Sequence, residues 1–257
     1  MSVRDTLHRA LDRRGRPLTF FVRDDDAGWA HERLSALLTC WRAVQAPIDL
    51  AVIPAALTPS RAADLLAWRR AQESRLGLHQ HGWSHRSHEG VHRRCEFGSR
   101  RTPAAVLADV RTGHDRLRHA FGEALDPVFT PPWNRCSHDT GLALRACGIQ
   151  VLSREARAVP LAIDGLAECP VSIDWCARSR GVGLSRAHRV ERAAEALATA
   201  STTAGLMLHH AAMDDEDVQA AADVVAAISA HPAVRCVSLL EAARTAVPAP
   251  HPALSPT

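Results

Sequence analysis

Three carboxylates stand in a row at Asp24-Asp25-Asp26, after Arg23 and the apolar run 18–22. Adjacent carboxylates repel, so a fold keeps them together where a cation or a catalytic task compensates. A solvated, helix-capping turn has the same composition. His81-Gly82-Trp83-Ser84-His85 sets two imidazoles four residues apart. Such a pair can converge on one ion, and one added carboxylate makes a facial set with positions left open for water. A His-rich surface loop would read the same way, and His79, His88 and His92 crowd this segment. Further on, His209 and His210 end the apolar run 206–208. One of them suits general-acid work near neutral pH, and His210 is read as the structural member. Trp133, Arg135, Asp174 and Trp175 are the other polar or aromatic residues placed this way.

The elements that must hold these groups alternate. Short apolar runs at 18–22, 48–53, 76–79, 128–130, 149–153, 169–173, 205–208 and 234–237 read as strands. Between them, 31–45, 60–72 (with Ser60 as N-cap), 103–121, 139–147 (ending at Gly148), 189–200 and 214–229 read as helices. A short helix closes the chain, and the polar stretch 80–101 reads as a long functional connection. Strands alternating with helices imply a parallel α/β architecture. Every group with chemistry falls at or just after a strand end. In a (β/α) barrel all strand C-termini open on one face, where catalytic residues gather. The expectation is therefore a (β/α) barrel of about seven strands.

Composition narrows the function. With 257 residues and 46% hydrophobic content, the chain fits a single domain, 1–246, followed by a Pro-rich, disordered tail, 247–257. A net charge of +3, scattered along the chain, gives no footprint for nucleic acid. No segment reads as an export signal or a membrane span, and seven cysteines without CxxC spacing read as free thiols, so a cytoplasmic protein is expected. There is no Tyr, and all 31 basic residues are Arg. That inventory excludes a Walker-type phosphate loop, a Schiff-base lysine, a Ser-Lys hydrolase and a tyrosine acid.

Taken in chain order, Asp25-Asp26, His81-x-x-x-His85, Pro131-Pro132-Trp133, Asp174-Trp175 and Leu208-His209 resemble the five motifs of the polysaccharide deacetylases, carbohydrate esterase family 4. The resemblance runs from about residue 18 to 210. Glu96-Phe97-Gly98 also looks like a cytoplasmic deacetylase-like subgroup. The resemblance implies a distorted barrel and hydrolysis of an N-acetyl or other small acyl amide, on a sugar or glycan precursor. It implies one divalent metal, zinc first and Fe, Co or Mn next, on Asp26, His81 and His85. It further implies Asp25 as base, with Asp24 in reserve if the register slips by one, the Trp133 N–H at the oxyanion, Asp174 beside the site and His209 as acid.

Two positions depart from the family pattern. The third motif's Arg, which pairs with the catalytic Asp, is Thr130 here, and the fourth motif's earlier Asp is Val171. A base beside a metal-binding carboxylate needs a cation to stay ionised. Arg135, five residues after Thr130, is expected to supply it by bonding Asp25 or Asp174; Arg23 alternates with Asp24 on the strand and is passed over for that reason. Two other readings fit the same residues. One is another metal barrel of the amidohydrolase or phosphoesterase kind, since His79-Gln80-His81 spells His-x-His. The other is a degenerate barrel that binds without catalysis.

Overall fold

The computed structural model describes residues 2–72, 75–90, 93–179 and 181–245. His92 and the expected tail lie outside them. The chain opens with a helix, α1 (Val3–Arg14), then β1 (Leu18–Ala27), α2 (His31–Trp41), β2 (Ile48–Val52), α3 (Pro59–Ala71), β3 (Leu76–His81) and α4 (Pro103–Phe121). Next come β4 (Val128–Thr130), α5 (His138–Ala146), β5 (Val151–Leu152), β6 (Ala167–Glu168), β7 (Ile173–Asp174) and a hairpin of β8 (Arg178–Ser179) and β9 (Val182–Gly183). The described residues end with α6 (Arg186–Thr199), β10 (Thr203–Leu208), α7 (Asp215–Ser229), β11 (Val234–Cys236) and α8 (Leu239–Thr245).

The main sheet is parallel in every pairing and runs β6-β5-β4-β3-β2-β1-β10-β7, with β11 added to the start of β1. β6 and β7 are the two ends of one run, 167–174. Its beginning bonds β5 (Cys169 N to Leu152 O, 2.9 Å), and its end bonds β10 (Ser172 N to Gly205 O, 2.9 Å). The curled sheet thereby returns toward itself. The expected strand at 169–173 is this run, split because its middle changes partners.

Period-two alternation sorts the side chains. On β1, Leu18, Phe20 and Val22 face the helices and join the large outer core with Leu34, Leu37, Trp41, Leu197 and Val225. Phe21 faces inward and meets Val128, Val151, Cys169, Val171 and Met207, with Leu239, Ala242 and Ala243 of α8 packed on them. Helix α8 thus plugs the barrel at the end away from the inward-facing Arg23 and Asp25.

Several boundaries differ from the sequence expectation. Strand β1 extends to Ala27 and carries all three Asp inside it. The N-cap of α3 is Thr58, whose side chain accepts from Arg61 N, with Pro59 at the first helical position, so Ser60 lies inside the helix. Helix α1 is an addition to the expected elements. Its apolar stripe is only Leu7, Ala10 and Leu11 among Arg and Asp, and it forms because those three bury against α6 and α7.

The plug is anchored by a buried acid. Asp49 Oδ2 accepts from Leu239 N at 2.8 Å, and a Cβ on Gly77 would lie 2.0 Å from Asp49 Oδ1, so only glycine leaves the carboxyl room. Burial, with the charge of Asp126 adding to it, pushes the Asp49 carboxyl up to about 8. An acid raised on folding costs stability progressively as pH climbs from its unfolded value of about 3.9 toward its folded one. Asp49→Asn, which keeps an acceptor for Leu239, should therefore gain on the wild type between pH 5 and 8. The gain should exceed about 1 kcal/mol, since a pKa displaced by one on the pH scale is worth about 1.4 kcal/mol. Urea unfolding of both proteins across that range checks it. A difference that stays flat with pH would mean Asp49 is ionised in the fold.

Candidate metal centre and catalytic rim

The inward face of β1 carries Arg23 and Asp25, two residues apart; Asp24 between them points outward. There His210 meets it, with Nδ1 2.6 Å from Asp24 Oδ2 and the His210 N–H 3.0 Å from Oδ1. Both side chains are fully buried. Burial opposes protonation of His210, but Asp24 outweighs it and pushes the imidazole up to about 9. Asp24 is thus occupied in holding the start of the segment after β10. Past Asp24 the β1–β2 register shifts, and Asp26 takes a left-handed φ of 70°. This bulge-like break turns a second consecutive carboxylate toward the site that Asp25 already faces.

His81 ends β3 with its Nδ1 3.0 Å from the Thr130 carbonyl. A carbonyl only accepts, so Nδ1 carries a hydrogen, and in the neutral ring Nε2 is the nitrogen with a lone pair to offer. That Nε2 lies 3.2 Å from Asp26 Oδ1, and His85 Nε2 lies 3.1 Å from the same oxygen. The turn between the two His is shaped by Gly82 (φ 57°), where a Cβ would lie 2.2 Å from Glu96 Oε2 and 2.6 Å from Pro132. Glu96, fully buried, braces the turn by accepting from Trp83 N, Ser84 N and Ser84 Oγ at 3.2, 2.7 and 3.0 Å. The His85 ring is packed between Trp29 and Trp133, with centroids 4.8 and 4.4 Å away.

These three side chains fit a cation. Their ligand atoms all lie within 4.8 Å of one another, and Asp26 Oδ1 is buried without a well-formed hydrogen bond. Burial alone would raise the Asp26 carboxyl, yet His81 and His85 hold it well below the usual carboxylate range. Burial likewise pushes His81 down, and Asp26 with Asp25 more than reverses this. Two imidazoles and one carboxylate facing a common point are a borderline-metal donor set.

Asp25, 2% exposed, sits beside this group. Arg23, wholly buried, grips it with two parallel bonds, Nε to Oδ1 at 2.7 Å and Nη2 to Oδ2 at 3.0 Å. Its remaining donors reach Ser153 Oγ and O (2.8 and 3.1 Å) and Asn134 Oδ1 (2.7 Å). Burial would raise the Asp25 carboxyl; Arg23, His81 and His209 together hold it below the ordinary value. Across from it, His209 Nε2 lies 3.9 Å from Asp25 Oδ2. Trp133 and Asn134 both adopt φ of 57°, and the Trp133 N–H donates to no other described group.

Neither a protein-family model nor a curated protein sequence matches the chain. Solved structures do. A candidate polysaccharide deacetylase from Mycobacterium smegmatis superposes with a TM-score of 0.69 over 90% of this chain and 91% of that one, at 15% identity. The fold is that of the polysaccharide deacetylases. A family 4 acetyl xylan esterase from Clostridium thermocellum, in complex with cobalt, gives a TM-score of 0.59 at 13% identity, covering 87% and 89%. A family 4 pseudoenzyme from Bacillus anthracis gives 0.52 at 8%, covering 82% of this chain and 59% of that one. At such identities the likeness speaks for the fold alone.

Within this deacetylase fold, the cation beside Asp25 comes from an unexpected strand. The expectation for Arg135 fails: its Nη1 donates to the Arg94 carbonyl at 3.2 Å, and Arg23 holds Asp25. The reason is strand alternation itself, because a residue that alternates with Asp24 must share the face of Asp25. Thr130, at the place of the family's Arg, has its Oγ1 2.9 Å from His79 Nε2. Burial pushes His79 down to about 3, so it is a neutral neighbour. Asp174 lies on the same rim, in a cleft shared with Trp133 and His209; its Oδ1 accepts from Cys176 N at 3.0 Å. Burial holds its carboxyl above the ordinary range, against the pull of His209.

Arg23, Ser153, Asn134 and Glu96 are the site residues that sequence reasoning leaves without a role. Strand alternation is signal enough for Arg23. Ser153 and Asn134 do fall at or after expected strand ends and Glu96 in the polar connection, but nothing local says which side chains they will meet.

Proposed function

We propose that the protein is a metal-dependent hydrolase that removes an acetyl or other small acyl group from an amide nitrogen, on a sugar or a small glycan precursor. The observation that carries this is the convergence of Asp26, His81 and His85 within 4.8 Å, beside an Asp25 kept ionised by Arg23. A divalent ion held by those three residues would supply Lewis-acid polarisation of the acyl oxygen and a more acidic water. Asp25, next to that position, removes the water proton. The unspent Trp133 N–H stabilises the developing oxyanion. His209, on the opposite side of Asp25, gives a proton to the departing amine. Asp174 shapes the cleft through which the rest of the substrate reaches His209.

Zinc is the first candidate for the ion, with Fe, Co and Mn compatible with the donors; the cobalt in the xylan esterase of like fold agrees with such a set. A two-metal amidohydrolase is less well supported, because among the described residues only one group of ligands gathers and His79 is engaged with Thr130. The seven unpaired cysteines favour a reducing, cytoplasmic setting, and among the described residues no helix is long and apolar enough to cross a membrane.

Protein stripped with a chelator and reloaded with one ion per chain should release acetate from an N-acetylated amino sugar or nucleotide sugar. Stripping should abolish the release and reloading restore it. A protein that takes up one ion but hydrolyses no acylated amine across a broad set is a binding protein instead; a family 4 pseudoenzyme shares this fold.

A further inference from the structure

The cleft beside the rim has a volume of about 460 Å³, within the roughly 300–1,000 Å³ usual for small-molecule sites. His209 and Trp133 line it, and so do four arginines, Arg135, Arg157, Arg178 and Arg192. Only Glu155 and Asp174 oppose them. The cations come from separate parts of the chain. Arg157 lies in the turn after β5, Arg178 in β8, Arg192 in α6 and Arg135 beyond the Trp133 turn. Separate elements delivering guanidinium groups to one concavity is unlike a stripe of surface charge.

Their lack of partners matters as well. Arg157, Arg178 and Arg192 are exposed at the cleft, whereas the more buried Arg101, Arg154 and Arg189 are tied up with Asp109, Glu168 and Asp217. The guanidinium groups of Arg157 and Arg178 have no hydrogen-bonding or ion-pair partner among the described residues, and Arg192 lies within charge range of Asp174. Like charges gathered in a cleft concentrate anions there, and a guanidinium fork matches phosphate or carboxylate oxygens in pairs. A neutral sugar could accept from the guanidinium donors but would make no use of their charge.

We propose that the substrate carries an anionic group, a phosphate or a carboxylate, which Arg157, Arg178 and Arg192 receive in this cleft while the acyl amide lies at Asp25. The assignment rests on the hydrolase reading above and narrows its substrate to an acylated amine bearing negative charge.

Calorimetric titration of the full chain tests it, with a chelator present so that no anion can bridge to a bound ion. Three probes are compared: N-acetylglucosamine, its 1-phosphate, and N-acetylmuramic acid, which carries a carboxylate. At least one charged probe should bind about tenfold or more tightly than the neutral one, as charge-assisted bonds to arginine give, and salt should weaken that preference. Which charged probe wins separates phosphate from carboxylate. In Arg157→Gln/Arg178→Gln/Arg192→Gln the preference should shrink to about twofold, and Arg192→Gln alone should reduce it in part. Equal or absent affinity for all three probes in the wild type overturns the proposal, as does a preference undiminished in the triple variant with an unchanged thermal midpoint. If the preference and its loss hold while metal-loaded protein cleaves no acylated amine, the cleft assignment stands and the hydrolase reading falls.

Discussion

Exchanging Asp25 for Asn should cut turnover by about 10²–10⁴-fold, the usual weight of a positioned general base, while the protein still takes up one metal ion per chain. The separation of the two effects follows from geometry. Asp26, His81 and His85 share the common point, and Asp25 lies beside it under Arg23. An amide in its place keeps the shape but has no basic oxygen. The exchange also leaves Arg23 facing a neutral partner, so rates should be taken per folded, metal-loaded chain, below the variant's thermal midpoint. Asp24→Asn is the control. It weakens the buried pair with His210, so its loss should appear chiefly in stability. Full activity in Asp25→Asn, or a loss of metal that tracks its loss of rate, would take the base assignment away from Asp25.

The barrel is legible because its strands are short apolar runs at regular intervals, each followed by residues of unusual type. The helices' own ends are less so. Thr58 caps α3 because Pro59 suits the first helical position, a pairing that outranks Ser60 one residue later. The 149–153 strand shrinks to two bonded residues, Val151–Leu152, and 169–173 divides between two partners. Sequence carries the apolar pattern of a strand but not which neighbours its ends will find. Helix α1 hides for a related reason: three apolar residues among charges do not announce a buried face, and only contact with α6 and α7 makes one.

For the site, spacing locates the cluster and leaves its support unseen. Asp26, His81 and His85 are brought together by two strands and a glycine turn, as their spacing implies. What holds them is non-local. Glu96 reaches the turn from the far end of a long polar connection, and Ser153 and Asn134 reach Arg23 from after β5 and after β4. The compensating cation is different: the expectation of Arg135 is wrong, although the rule that settles the matter is a local one. Residues 23 and 25 are two apart on a strand and so share a face.

That pairing makes Arg23 a residue whose loss should cost the fold heavily. Its guanidinium is fully buried and spends its donors on Asp25, Ser153 and Asn134. Arg23→Met keeps much of the volume and removes the charge, leaving Asp25 buried and unpaired. Breaking a buried pair in this way costs about 3–5 kcal/mol. The consequence for chemistry runs through protonation. Burial is the largest influence on Asp25, and it favours the neutral acid; Arg23 leads the charges that reverse it. Without the arginine the carboxyl rises, so the acid limb of the pH–rate profile should move to higher pH and turnover near neutrality should fall. Arg23→Lys should recover part of the stability and less of the rate, since an ammonium lacks the two-pronged grip. The cleanest readout is the double variant Arg23→Met/Asp25→Asn. Removing both charges should recover more than half of the stability lost in Arg23→Met, because the cost lies in the unpaired carboxylate rather than in the missing arginine. Recovery of activity is not expected, as the base is gone. Urea unfolding of the four proteins closes the cycle. A double variant as unstable as the sum of its singles would show that Arg23 acts through Ser153 and Asn134 alone, and an Arg23→Met protein with wild-type stability and an unshifted acid limb would remove it from the site altogether.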